Sequence, residues 1–114
     1  MIPGLSTVLS YLQNEGQYKS QKYDEALHAL HKAVHETNKY INGTKHNVEQ
    51  ELELSNLWGQ AAIKARNLSK DLAKRCYIKS EYWQDPDSWS FSKIKSDGIC
   101  LTRIENELRD LISK

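Results

Sequence analysis

Glycine and proline are scarce in this chain, five and two among 114 residues. A β-sandwich or barrel needs turn residues about every ten positions, and collagen-like or low-complexity chains need many more of both, so these classes are excluded. Cysteine is as rare, with Cys76 and Cys100 alone. Two thiols close at most one bridge and cannot supply the framework of a small secreted domain, so both are expected to be free in a reducing compartment. No apolar run approaches the roughly 18 residues of a membrane span. Residues 1–10 lack the basic start and continuous apolar stretch of a signal peptide, so a cytoplasmic protein without membrane contact is expected. Net charge is missing too: 16 Lys and Arg against 15 Asp and Glu leave +1, and no overall field selects nucleic acid or an acidic membrane. Asn42-Gly-Thr44 and Asn67-Leu-Ser69 match the glycosylation pattern, which carries no meaning without export.

What is present is helical periodicity in a chain the size of one domain, 39% hydrophobic and 27% charged. Leu5, Val8, Leu9 and Leu12 predict a short helix over about 4–14, stopped by Asn14-Glu-Gly16. Tyr23, Leu27, Leu30, Val34, Thr37 and Ile41 form a heptad seam on a second helix over about 21–41, ended by Asn42-Gly43. Leu54, Trp58, Ala61, Ala65, Leu68, Leu72 and Cys76 predict a third, long helix over about 47–78. Its acidic start (Glu49, Glu51, Glu53) and basic end (Lys70, Lys74, Arg75, Lys79) match the helix macrodipole. After Asp97, taken as an N-cap, Leu101, Ile104, Leu108, Leu111 and Ile112 predict a fourth helix over about 98–113. The short link after Asn42 makes helices two and three an antiparallel hairpin. The expected fold is therefore all-α: a single domain over 1–114, a four-helix bundle built on a long helical hairpin. An irregular aromatic connection over 79–97 precedes the last helix, with Asp85-Pro86 starting a short turn.

Three constellations compete for function. Tyr82, Trp83 and Trp89 are residue types enriched in interface hot spots and lie on the connection, which points to a contact with a protein partner or with a second copy. Gly59 adds a pointer, since a glycine inside a helix and off its seam marks close approach by another helix or chain. The alternative is a nucleic-acid-binding regulator using Lys70, Lys74 and Lys79 beside Trp83, as phosphate and base contacts. The third reading is a metal-dependent enzyme. His31 and His35 have chelating i, i+4 spacing, and Glu25 with His28 forms a Glu-x-x-His pair. Projection at 100° per residue, however, places His28, His31 and His35 opposite the seam, in solvent, and no second Glu-x-x-His exists. Gly-x-Ser-x-Gly, P-loop and Gly-x-Gly-x-x-Gly motifs are absent. The reading carried forward is a small helical protein–protein interaction or assembly module, with no cofactor expected.

Overall fold

The computed structural model describes residues 3–43 and 45–113, with side chains from residue 20 onward. Helix α1 spans Pro3–Ile41, α2 Val48–Ala65, α3 Lys70–Gln84, α4 Phe91–Ser96 and α5 Leu101–Ser113, with a 3₁₀ turn at Pro86–Ser88. The protein is all-α: α1, α2, α3 and α5 form a four-helix arrangement, and no strand occurs among the described residues. No helix among them is long and apolar enough to cross a membrane.

The first two expected helices, 4–14 and 21–41, are one helix of 39 residues, about 58 Å at 1.5 Å per residue. Gly16 costs about 1 kcal/mol relative to alanine in a helix, which is not by itself enough to end one. The proposed seam residues Leu5, Val8, Leu9 and Leu12 lie outside the residues whose side chains are described. At the other end Gly43 stops α1 as expected, its N–H bonding Tyr40 O.

The long helix over 47–78 is instead two helices. α2 ends at Ala65, and α3 starts after Ser69, whose side chain accepts from Leu72 N–H as an N-cap. Between them Asn67 Nδ2 and N–H both bond Lys64 O, and Leu68 and Ser69 N–H bond Ala65 O, so the last carbonyls of α2 are satisfied by the turn itself. The two helices then run antiparallel in the most extensive contact of the fold. The residues over 79–84, assigned to an irregular connection, belong to α3.

Asp85-Pro86 does begin a turn, with Pro86 at its first position, but the Asp85 side chain makes no cap hydrogen bond. Asp97-Gly98, read as the start of the last helix, is the stop of α4. Gly98 adopts φ +70°, its N–H bonds Lys95 O, and Ile99 N–H bonds Ile94 O. That pattern is a Schellman motif, and its left-handed position is why glycine sits there.

The core is one cluster. Leu30 and Val34 of α1, Leu54, Trp58, Ala61 and Ala65 of α2, Leu72, Cys76 and Trp83 of α3, and Ile104 and Leu108 of α5 are buried together. The seams were thus placed on the correct faces, except at their ends, where Ile41 and Ile112 are exposed. Trp58 is fully buried at the centre, and its indole N–H donates to Thr37 Oγ1 at 2.8 Å while that hydroxyl donates to Ala33 O at 2.7 Å. The α1–α2 link is held by Tyr40, whose hydroxyl donates to Glu51 Oε2 at 2.6 Å and accepts from Asn47 N–H at 3.0 Å. Burial, followed by the Glu51 contact, keeps the Tyr40 phenol above its ordinary pKa. α5 is tied to α1 by Asn38 Nδ2 to Glu105 at 2.8 Å and to α3 by the Arg75–Glu107 ion pair.

Candidate protein-docking face

The aromatic residues expected to meet a partner form a ladder within the molecule. Trp83 is buried, with its ring edge-on to Tyr40 at 5.6 Å and to Tyr82 at 4.9 Å, and Tyr82 in turn is edge-on to Trp89 at 5.8 Å. Tyr82 and Trp89 are half-buried, and Lys93 Nζ lies 4.1 Å from the Trp89 ring centroid. Trp83 is therefore corrected from contact residue to core residue. The reason is that α3 continues to Gln84 and turns this side chain onto α1 instead of releasing it into a loop.

Lys79 is corrected as well. It is 5% exposed, its Nζ donates to Ile99 O at 2.9 Å, and it stands 4.9 Å from the Tyr82 ring centroid, so it presents nothing to a phosphate. Burial pushes its pKa down to about 8. Lys70 and Lys74 are exposed. His28, His31 and His35 face solvent, with the His31 and His35 rings stacked at 6.0 Å. Among the described residues no three metal-ligating side chains converge. Cys76 is buried, Cys100 is half-buried, and both are free thiols, with burial pushing the Cys76 pKa up to about 12.

The feature that stands out is the side of the α2–α3 hairpin turned away from α1. Ser55 and Ser80 clasp the two helices there, each hydroxyl donating to the other residue's backbone carbonyl at 2.8 Å. Gly59 belongs to this clasp, since a Cβ on it would touch Ser80 Oγ at 3.5 Å. The neighbour at Gly59 is thus α3, at ordinary van der Waals distance, and no unusually close approach requires the glycine. With Ala62 and Ala73 these small residues floor a groove of about 760 Å³, rimmed by Ile63 and Tyr77, which are 71% and 60% exposed. Helical phase carries the face further along α2: Val48, Leu52, Ser55, Gly59, Ala62 and Arg66 step by 4, 3, 4, 3, 4. On α3, Lys70, Ala73, Tyr77, Ser80 and Gln84 step by 3, 4, 3, 4. A second heptad stripe therefore runs along the outside of the hairpin, about 100° around each helix from the seam in the core. It was legible in the spacing, but serine, glycine and alanine hid it.

Charge on this face is segregated. Arg66, Lys70 and Lys74 line the groove near the α2–α3 turn, and no carboxylate lines it. Exposed Glu49 lies near the start of α2 and exposed Glu81 near the end of α3, at the opposite end of the hairpin, whereas exposed Glu53 turns to the α1 side, beside Lys32 and Glu36. None of these six side chains forms an ion pair among the described residues. The macrodipole accounts for Glu49 at the start of α2 and Arg66 at its end but not for the charges of α3, because Lys70 and Lys74 sit in its first part, where a helix favours anions, and Glu81 near its end. At each end of the hairpin one helix N-terminus meets one C-terminus, so the two dipoles largely offset. Comparisons of the chain with protein-family models, with curated proteins and with solved structures found no match.

Proposed function

We propose that the protein is a small helical protein–protein interaction or assembly module whose contact surface is the outer face of the α2–α3 hairpin. One observation carries this reading. Of the seven large hydrophobic side chains exposed among the described residues, Ile63 and Tyr77 rim the groove, and helical phase puts Val48 and Leu52 on the same side of α2. Scattered exposed hydrophobics are ordinary, whereas a contiguous set rimmed by polar residues marks a binding surface. The groove between Ile63 and Tyr77 is floored by small side chains, which lets a helix lie close to the backbone, and Asn56, Gln60 and Gln84 supply a polar edge.

The test is the double substitution Ile63→Glu with Tyr77→Glu. Helical circular dichroism is expected to stay unchanged, while association with a second copy, or with a stoichiometric partner isolated from cell extract, is lost. A wild-type chain that forms neither kind of complex, or a double variant that keeps its complex, overturns the reading. The nucleic-acid alternative draws on exposed Lys70 and Lys74 beside Tyr77 without Lys79, and absence of a mobility shift at low salt removes it.

A further inference from the structure

Resting on that reading, we infer that the occupant of the α2–α3 face is the same face of a second copy, docked antiparallel about a twofold axis, so that the basic end of each copy covers the acidic end of the other. The face is self-complementary about its midpoint. The Ser55–Ser80 clasp sets the register of the hairpin and places Tyr77 level with Trp58. A twofold axis lying in the plane of the face at that level sets α2 against α2 and α3 against α3, each pair antiparallel. Counting outward from the axis at 1.5 Å per residue, Ile63 of one copy falls within one residue of Leu52 of the other, and Arg66 within one residue of Glu49. The two Tyr77 rings meet near the axis, and Lys74 comes level with the neighbourhood of Glu81. Ile63 therefore comes beside Leu52, Arg66 beside Glu49 and Lys74 beside Glu81, and such reciprocal pairing is the requirement for an isologous contact. The parallel docking superimposes like charges at both ends and is disfavoured for that reason.

Size bears on strength. Two helices about 25 Å long and together about 20 Å wide present about 500 Å² per copy, near the lower end for specific complexes. The dimer is therefore a reversible one that weakens as salt screens the charged ends.

The experiment is sedimentation equilibrium on the full chain and on two exposed-charge variants whose fold is checked by circular dichroism. One carries Arg66→Glu, Lys70→Glu and Lys74→Glu. The other carries Glu49→Lys and Glu81→Lys. The wild type is expected to dimerise, each variant alone to be monomeric because both of its ends carry one sign, and an equimolar mixture of the two to recover a dimer. A mixture that stays monomeric, or a variant that dimerises as well as the wild type, overturns the twofold arrangement. A wild type that is monomeric at every concentration while retaining a different protein, lost on Ile63→Glu with Tyr77→Glu, overturns the second copy as occupant and leaves the interaction reading standing. If that different protein is absent as well, both fail.

Discussion

The inner and outer stripes of the α2–α3 hairpin share a heptad period and differ in what fills it. Inside, Leu54, Trp58 and Leu72 are buried against α1 and α5, with Ala61 and Ala65 letting the helix axes draw together. Outside, Ser55, Gly59, Ala62 and Ala73 occupy the equivalent central places, and the large side chains Ile63 and Tyr77 stand at the margins instead. Period sets which residues share a face, and side-chain volume decides whether that face closes within the chain. The inner stripe completes its own core. The outer one has a hollow centre and apolar shoulders, a shape that another helix pair fills.

The comparison breaks most visibly at Trp58. Trp58→Ala removes the largest fully buried side chain and is expected to lower stability by about 3–5 kcal/mol in urea unfolding. A loss below about 1 kcal/mol would mean that the inner stripe is as loosely filled as the outer. Next comes Thr37→Val, nearly isosteric, which leaves the Trp58 indole N–H without its acceptor and is expected to cost about 1–3 kcal/mol. Thr37→Ser, which restores an acceptor, recovers most of the hydrogen-bond part of that loss.

A smaller effect tests the charge enclosed at the rim of the core. The Lys79 pKa is about 8 in the folded chain against an ordinary 10.5, so between these values the unfolded chain binds more protons and stability rises with pH. The gain is on the order of 1 kcal/mol between about pH 8 and 9, and a Lys79→Met variant lacks it. Above about pH 9 the raised pKa of Cys76 acts in the opposite direction, so the difference between wild type and variant is the quantity to follow. Identical pH profiles for the two proteins would show that the amine is not enclosed. Smallest of all, Ile63→Ala in the monomer is expected to change stability by no more than about 0.5 kcal/mol, measured at concentrations too low for association.

The inner seam of α2 and α3 was legible down to its residues, because apolar side chains at three- and four-residue steps leave little choice of face. The break within it was not. Ala65, Leu68 and Leu72 keep the same step across the turn, with Leu68 half-buried against the core, so the helical phase runs on where the helix does not. Ser69, an N-cap three residues before Leu72, is the local signal of the break, set within that unbroken rhythm. The turn also puts the lysines that follow it at a helix start and not at a helix end. Asp97-Gly98 shows a related ambiguity: the same pair serves a helix start or a Schellman stop, and only the left-handed Gly98 decides. Most of the docking face was hidden for a third reason, since sequence patterns register large apolar residues and this groove is made from their absence.

Lys79 has a chemical consequence beyond its effect on stability. An amine with a pKa near 8 is substantially unprotonated in mildly alkaline buffer, and so intrinsically more reactive toward acylating reagents than an ordinary surface lysine. Its enclosure by Tyr82, Trp83 and the Ile99 carbonyl withholds that reactivity from reagents in solution. In the folded chain, acylation at this position therefore waits for the segment around Ile99 to lift from α3, and its rate serves as a clock for that local opening.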